Sequence, residues 1–367
     1  MKLLYITNQI CGSGGLERVL SVKASYLAEE SGYQVHILTL NQTGEDLFYD
    51  FSNEIHYHDI SVGGNPFRYL YSYRKGIKDV LDRVKPDIIS VCDDGLKGML
   101  FPVIFGKKIP VVYERHVSKQ IEFNSDKDSF LKKIWLSVKL RLMNYGGSKF
   151  HKFIVLTNGN LSEWDLKNLL VIPNPLPFNP LEKSTLNNKN VLVVGKQSYQ
   201  KGYDRLLEIW EKVHFVHPDW NLEIYGKINT DLDLESKAEK LGLNSVVNFY
   251  PPVKNIQEKY KNSSIYLMTS RFEGFGMVLI EAMSYGVPCV SFDCPYGPAD
   301  IVDDNINGFL VPNGNIDMFA EKLVSLIKDF DLRSRMGKCS SENVLRYNPE
   351  KIVKQWDVLF RSLILKK

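Results

Sequence analysis

The sequence contains no run of 18 apolar residues, so it offers no candidate transmembrane helix. The apolar stretch after Met1 is too short for a signal peptide and predicts a first strand instead. Cysteine is sparse, with five in 367 residues, and the five are scattered without the spacing of metal ligands, which favours a reducing compartment. A formal net charge of +3 is too close to balance to indicate nucleic-acid binding. We therefore expect a cytoplasmic protein, which leaves contact with a membrane surface open.

Two phosphate-binding fingerprints are also missing. The loop Gly12–Gly15 after the first strand is neither Gly-x-Gly-x-x-Gly nor a Walker loop, which disfavours a dinucleotide oxidoreductase. No Asp-x-Asp pair suited to a divalent ion follows a strand. Asp231 and Asp233 have the spacing, but they lie at a polar helix start, where capping explains them. We predict no metal and no cofactor.

Strands and helices alternate almost throughout the chain. The strands read as continuous apolar runs, which is typical of a parallel sheet covered on both faces. The pattern stops at four prolines within residues 173–180 and a polar run that reaches residue 190, and then it restarts. We predict an α/β protein with two doubly wound, Rossmann-like domains, residues 1–172 and 191–348, joined by a linker at 173–190. Residues 349–367 predict a helix with one apolar face, which we expect to return to the first domain.

Doubly wound domains bind ligands at the carboxyl ends of their strands. The loop Gly12–Gly15 is either a tight turn or a phosphate cradle. Lys196 and Lys201 flank a loop after the first strand of the second domain, where they either neutralise a diphosphate or are solvated surface lysines. Arg115 and His116 follow a strand of the first domain, and a functional and a structural role are both open for them.

The most informative segment begins at Arg271 and continues Phe-Glu-Gly-Phe-Gly into a helical pattern. It places Glu273 and two glycines at a turn between a buried strand and a helix, with Glu281 inside that helix. Glycines allow a ligand to approach the backbone, and a helix N-terminus offers free N–H groups to oxygen-rich ligands. Ionised carboxylates only accept hydrogen bonds, which suits the many hydroxyl donors of a sugar.

A basic stretch lies between residues 130 and 152, with six Lys or Arg and no acidic residue. Leu131, Ile134, Trp135, Val138 and Leu142 form one stripe with Lys132, Lys133, Lys139 and Arg141 around it. This is the pattern of an amphipathic helix on anionic lipid. An ordinary helix packed on the first domain remains the alternative.

The pair Glu273 and Glu281, with Gly-Phe-Gly between them, resembles the paired-glutamate signature of retaining nucleotide-sugar glycosyltransferases of family 4, which have the two-domain GT-B fold. The resemblance extends in order over nearly the whole chain. It includes the Gly12–Gly15 loop, the Gly195-Lys to Asp204 segment, the Ile172-Pro-Asn-Pro linker entry and residues 307–312. Glu114, Arg115 and His116 resemble a Ser-Glu-Arg segment of a polysaccharide-assembly subgroup.

This resemblance implies a role for each matching residue. Glu273 would contact the donor sugar on its reacting face, and the backbone of Gly274, Phe275 and Gly276 would bind sugar or phosphate oxygens. Glu281 would hold the ribose, and Val253 would pack against the base. Lys196 and Lys201 would neutralise the diphosphate, with Gly15 near it. The assigned catalytic residues are Glu273, His116 and Lys201, while Arg115 or His116 faces the donor. The family usually has Arg where this chain has Lys196, so bidentate phosphate contact is lost there.

The resemblance implies a two-domain enzyme with its donor in a cleft. It would move a hexose or N-acetylhexosamine from a UDP-linked sugar, with retention and without metal, to a lipid-linked or growing glycan. The basic helix between residues 130 and 143 would let it meet that acceptor at the inner face of a bacterial membrane. A UDP-sugar epimerase of the same fold and a non-catalytic sugar-nucleotide binder are the alternatives. Incubation with the donor but without acceptor would separate the epimerase from a transferase, whereas binding with no product from any acceptor would favour the non-catalytic binder.

Overall fold

A computed structural model describes residues 1–123 and 130–365, with backbone only for residues 130–133. The chain divides into two compact units. Unit 1 comprises Met1–Pro175 together with Pro349–Lys367, and unit 2 comprises Leu176–Asn348. Each unit is built around a parallel sheet with helices on both faces, which confirms the predicted fold class.

Unit 1 contains a seven-stranded parallel sheet in the order β3-β2-β1-β4-β5-β6-β7. Its strands are β1 Lys2–Ile6, β2 Gln34–Leu40, β3 His56–Ile60, β4 Ile88–Val91, β5 Val111–Glu114, β6 Lys152–Val155 and β7 Leu169–Val171, and its first helices are α1 Gly15–Glu29, α2 Pro66–Val84, α3 Leu96–Met99, α4 Phe101–Phe105 and α5 Phe130–Gly147. One core packs the sheet against α1, and the other packs it against α2 to α5. The central strands β4 and β5 are buried throughout because both faces of the sheet are covered there.

Unit 2 contains a six-stranded parallel sheet in the order β10-β9-β8-β11-β12-β13. Its strands are β8 Asn190–Val194, β9 Asn221–Tyr225, β10 Val247–Tyr250, β11 Ile265–Met268, β12 Cys289–Asp293 and β13 Gly308–Pro312, and its helices are α6 Tyr203–Val216, α7 Leu234–Lys240, α8 Gln257–Lys261, α9 Met277–Ser284, α10 Pro298–Ile301, α11 Ile316–Lys328 and α12 Phe330–Asn343. Strands β8 and β11 are neighbours in this sheet. Their carboxyl ends therefore lie side by side at one edge.

The last helix, α13 Pro349–Ile364, belongs to unit 1 and packs on α1. Its apolar face contributes Ile352, Trp356 and Phe360 to the core that contains α1. The segment expected to be a linker, 173–190, does not lie apart from both units. Its residues from Leu176 onward belong to unit 2, because Leu176, Phe178 and Leu186 are buried there. Among the described residues, no helix has both the length and the apolar content that crossing a membrane requires.

Candidate active site

The loops that follow β8 and β11 are joined backbone to backbone. The N–H of Arg271 donates to the carbonyl of Gln200 at 2.7 Å, and the Gln200 side chain donates to the carbonyl of Phe272 at 3.0 Å. Gly202 lies between these contacts with φ +64°, and a Cβ there would stand 2.3 Å from the carbonyl oxygen of Thr269. Only glycine fits this conformation and this approach. The two loops therefore form one preassembled edge.

Glu273 and Lys201 meet at this edge. Lys201 Nζ lies 2.7 Å from Glu273 Oε1, and the Ser270 hydroxyl donates to the same oxygen at 2.6 Å. The side chain of Glu273 is nearly buried, whereas that of Lys201 keeps partial access to water. A carboxylate and an ammonium held in this way can address a sugar hydroxyl and an anionic leaving group at one place.

A second ion pair fixes the same two loops. Arg271 donates to both oxygens of Asp204, at 2.9 and 2.6 Å, and its guanidinium lies 4.1 Å from the centre of the Tyr199 ring. Partial burial acts to raise the pKa of Asp204, but Arg271 outweighs it and the pKa lies below its usual value. The bidentate geometry orients the Lys201 loop without using Lys201 itself.

The glycine turn after Glu273 is held tightly. Phe275 is buried with its ring edge on Tyr347, at a centroid distance of 5.5 Å. A Cβ on Gly297 would meet the carbonyl oxygen of Phe275 at 2.0 Å. Gly276 precedes α9 with φ +100° and gives its first turn no side-chain cap. The backbone from Gly274 to α9 therefore presents N–H groups that a ligand oxygen can use.

The other predicted residues of unit 2 are placed differently. Glu281 is buried in α9 and accepts a hydrogen bond from the Tyr260 hydroxyl at 2.8 Å. Lys196 is exposed in the loop after β8, and among the described side chains it does not pair with Glu273. Val253 is half-buried in the loop after β10. The structure thus joins Lys201 to Glu273 directly, whereas the side chain of Lys196 is exposed to solvent.

In unit 1 the predicted residues Arg115 and His116 directly follow Glu114, whose carboxylate is buried from water. Lys23 of α1 forms a buried ion pair with it, and the Ser90 hydroxyl donates to it at 2.5 Å. His116 Nε2 lies 3.2 Å from its other oxygen. Burial acts to raise the pKa of Glu114, but Lys23 and His116 outweigh it and bring the pKa to about 2.

An ionised Glu114 can only accept, so Nε2 of His116 carries the hydrogen of that bond. In neutral His116 this leaves Nδ1 as a lone-pair acceptor, and Nδ1 is buried with no partner among the described residues. Arg115 is also buried, with Nη1 donating to the Asp94 carbonyl at 2.9 Å. Burial acts to lower the pKa of Arg115, but Asp94 outweighs it, so the guanidinium stays charged.

The first glycine loop holds a carboxylate of its own. Gly15 begins α1, and the side chain of Glu17 folds back so that a Cβ on Gly14 would stand 2.5 Å from one of its oxygens. Gln9 donates to Glu17 at 2.8 Å. A phosphate placed in this loop would meet a like charge. This favours the tight turn that the sequence left as an alternative for residues 12–15.

One group could offer atoms to a metal ion. Cys92, Glu114 and His116 bring ligand atoms within 4.8 Å of one another, although the sequence spacing of the cysteines gave no sign of it. The ammonium of Lys23 already neutralises Glu114 there, so a second cation would be repelled.

Asp233 lies at the N-cap of α7, but its side chain makes no capping hydrogen bond, so the prediction that capping explains this residue was wrong. The side chain of Asn229 caps the preceding turn.

The basic stretch forms α5, which buries only one side. Met143 is in the core, and Gly146 lies so close to α3 that a Cβ would meet the carbonyl oxygen of Met99 at 2.4 Å. The predicted apolar stripe is exposed instead, including Trp135 at 64%. Its exposed members are Ile134, Trp135, Val138 and Leu142, joined by Tyr145. The side chains of Leu131, Lys132 and Lys133 lie outside the described residues.

Sequence reasoning missed several residues that complete these sites. Ser270 stands three residues before Glu273 at a strand end, which is a local signal that could have been used. Arg271 and Asp204 lie within the quoted segments, but their pairing joins positions 67 residues apart. Lys23 resembles any helical lysine, and only the strand order brings Glu114 to it.

Two family models match this chain, one in each unit. The family described as Glycosyl transferases group 1 matches residues 181–342, and the family described as Glycosyl transferase 4-like matches residues 10–153. The first match covers both loops that meet at Glu273. The second covers the Glu114 segment and the whole of α5.

Individual proteins are similar over much greater lengths. The amylovoran biosynthesis glycosyltransferase AmsD of Erwinia amylovora is 32% identical over 97% of this chain and 98% of its own length. A poly(ribitol-phosphate) alpha-N-acetylglucosaminyltransferase of Staphylococcus aureus is 29% identical over 80% of this chain and 58% of its own. The structure of Anabaena Alr3699/HepE in complex with UDP-glucose superposes with a TM-score of 0.79 at 18% identity, covering 99% and 100% of the two chains.

Proposed function

The chain belongs to the group 1 glycosyltransferases of polysaccharide biosynthesis, with the GT-B fold, and from that premise we propose that it transfers a hexose or N-acetylhexosamine from a UDP-sugar to a glycan acceptor with retention. The observation that carries this proposal is the contact of Lys201 with Glu273 at 2.7 Å beside the glycine turn. The relative whose name specifies an alpha linkage, and the related fold with UDP-glucose bound, support the donor and the stereochemistry.

The leaving group of such a transfer is a nucleoside diphosphate, which gains negative charge in the transition state. Lys201, with Lys196 from the same loop, supplies positive charge to it, and the N–H groups from Gly274 to Gly276 supply hydrogen bonds. Glu273 accepts from hydroxyls of the donor sugar, with its carboxylate oriented by Ser270. Glu281 accepts from the ribose and Val253 packs on the base. Because these groups are part of the chain, we expect transfer without an added divalent ion.

Retention is assigned to attack of the acceptor on the face from which the leaving group departs. A leaving phosphate oxygen takes the acceptor proton, so no protein base is required at that step. His116 Nδ1 is buried without a hydrogen-bond partner among the described residues, and Arg115 offers a charged guanidinium. The roles that the resemblance gives to these two residues and to Gly15 stay predictions.

The central test is a donor screen with UDP-glucose, UDP-galactose, UDP-GlcNAc and UDP-GalNAc, which records released UDP and the anomeric configuration of the product. We expect Glu273→Ala to lower turnover by about 10²–10³-fold. The matched control is Glu235→Ala, an exposed glutamate of α7, which should leave turnover unchanged. Equal rates for Glu273→Ala and the unsubstituted protein would refute the assignment, and an inverted product would refute retention.

We also propose that the acceptor is lipid-linked and is met at the inner face of the cytoplasmic membrane, with 130–152 as the contact. The exposed stripe of α5 supports this, because Trp135 and its neighbours lie beside cationic Arg141 and Lys149. Flotation with vesicles that contain anionic lipid should weaken when Ile134 and Trp135 are both changed to Glu. Val358→Glu, which alters an exposed apolar residue of α13, is the control. Unchanged flotation of the double variant would remove the membrane contact from the proposal.

A further inference from the structure

A groove in unit 1 is lined by none of the residues assigned to transfer. The groove has a volume of about 1320 Å³ and runs between α2 and α4, on the sheet face that carries α2 to α5. Its floor is apolar and includes Leu81, Ile89 and Phe101. The volume exceeds the roughly 300–1,000 Å³ of small-molecule sites. The groove can therefore hold a long apolar ligand.

One wall of the groove is formed by α2, which has more apolar surface than its core contacts use. Tyr73 and Ile77 of α2 are buried against the sheet. Phe67 and Tyr71, one turn apart on a neighbouring stripe, line the groove and are 86% and 67% exposed. A contiguous apolar patch of this kind marks an interaction site, whereas single exposed residues do not.

The rim of the groove is strongly cationic. It carries a single carboxylate, Asp82, and five cations, which are Arg74, Lys75, Lys78, Lys85 and Lys108. None of the five has an ion-pair partner within the part of the chain that the structure describes. Other lysines of unit 1, such as Lys23 and Lys139, are paired with carboxylates. An occupant with a negative charge would complement this rim.

The cations that line the groove begin one turn after Tyr71, at Arg74 and Lys75, and continue to its other end. Phe67 and Tyr71 lie in the first turns of α2, whereas Lys85 and Lys108 precede the adjacent strands β4 and β5. From Phe67 to Lys85 the helix axis extends about 27 Å at 1.5 Å per residue. One leaflet of a bilayer has roughly 15 Å of hydrocarbon. The groove is thus long enough for an acyl chain with its head group among the lysines.

We propose that this groove binds one molecule of an anionic phospholipid, with its chain along Phe67 and Tyr71 and its phosphate beside Lys75 and Lys78 in the next turns of α2. The site is separate from the exposed stripe of α5 and takes no part in binding the sugar donor. It would hold a single lipid through defined contacts, whereas the α5 stripe would lie on a lipid surface. The proposal therefore stands or falls independently of the membrane contact assigned to 130–152.

The test uses the full chain and dihexanoyl phosphatidylglycerol below its micelle concentration, followed by calorimetry and native mass spectrometry. We expect one lipid per chain and binding at least tenfold weaker for the zwitterionic dihexanoyl phosphatidylcholine. The double variant Lys75→Glu/Lys78→Glu should weaken phosphatidylglycerol binding at least tenfold. Lys237→Glu/Lys240→Glu is the matched control, because these are exposed lysines with the same spacing on α7.

Two further variants distinguish lipid binding in the groove from vesicle binding by the exposed stripe of α5. Tyr71→Asp should weaken binding of the monomeric lipid, since it places a charge in the apolar wall. Trp135→Glu on α5 should leave that binding intact even where it weakens flotation with vesicles. Equal affinity for both lipids, or phosphatidylglycerol binding that survives Lys75→Glu/Lys78→Glu, would overturn the proposal. A dimer in light scattering that the same double variant dissociates would also overturn it, by assigning the groove to a second copy of the chain.

Discussion

Each unit contains a lysine–glutamate pair beside a parallel sheet, and the two pairs differ in access to water. In unit 1 the side chains of Lys23 and Glu114 are 0% and 1% exposed. In unit 2 those of Lys201 and Glu273 are 19% and 8% exposed. A sealed pair can only support the fold, whereas a pair that water reaches can also be reached by a ligand. The same chemistry is therefore structural in one unit and available for binding in the other.

The largest expected effect comes from breaking the sealed pair. Glu114→Gln leaves the Lys23 ammonium buried without its counter-charge, which should lower the free energy of unfolding by about 3–5 kcal/mol. Urea unfolding measures this change. Glu273→Gln should cost less than about 1 kcal/mol, because water can solvate Lys201. Equal losses in the two variants would contradict the comparison.

The next effect concerns activity in unit 2. Lys201→Met should lower kcat/KM for UDP release by about 10²–10³-fold, with little change in stability. Lys196→Met, which removes an exposed lysine of the same loop, should lower it by about threefold to tenfold, since this cation is screened by water. A larger loss at Lys196 than at Lys201 would mean that the exposed lysine is the main phosphate contact.

A smaller loss of folding stability should appear in acid, and it should come from two histidines of unit 1. Burial and the neighbouring His58 lower the pKa of His36 from 6.5 to about 4, and burial also lowers the pKa of His58. Folding favours their neutral forms, so this stability is complete above pH 6.5 and is lost as the pH falls through that value towards 4. We expect a loss of roughly 1–2 kcal/mol, discounted because both rings are partly exposed.

Thermal unfolding between pH 7 and pH 4.5 tests this expectation. His36→Asn should flatten the dependence over that interval. The low pKa of Glu114, about 2, adds a further loss only below pH 4.5. If His36→Asn loses as much stability between pH 7 and pH 4.5 as the unsubstituted protein, other titratable groups cause the loss.

The smallest effect concerns the clamp between the two loops of unit 2. Arg271→Lys keeps the charge but loses the bidentate contact with Asp204, and it should cost about 0.5–1 kcal/mol. Lys189→Gln breaks the exposed Lys189–Asp219 pair and should lower stability less than Arg271→Lys does. Chemical denaturation compares the two variants. Equal costs would show that the clamp contributes no more than a surface ion pair.

The sequence predicted most strands because a strand buried on both faces is a continuous apolar run. It did not predict β7, which has three half-buried residues, or β13, which begins at Gly308 and ends at Pro312. Both lie at sheet edges, where less apolar character is needed. The boundary of unit 2 was also missed, because Leu176 and Phe178 stand among prolines and their burial depends on tertiary contacts.

For the site, the sequence located the turn at Glu273 and the loop of Lys201, since glycines and strand ends are local features. It could not show whether Lys196 or Lys201 contacts Glu273, because this depends on how the loop after β8 meets the loop after β11. It also could not place Lys23 against Glu114, since that contact joins positions 91 residues apart. Local patterns thus predicted the turn and the loop, and long-range pairing determined that Lys201 and Glu273 meet there.

The place of α13 in the core of unit 1 has a consequence during synthesis. Unit 1 is completed by residues that follow all of unit 2, so a nascent chain must wait for them before Trp356 can cover Lys23. At 5–20 residues per second, the intervening stretch takes roughly 10–35 s to translate. During that interval unit 2 can fold while unit 1 still exposes the apolar side of α1. Synthesis of this enzyme therefore begins with unit 1, but unit 2 can complete its fold first.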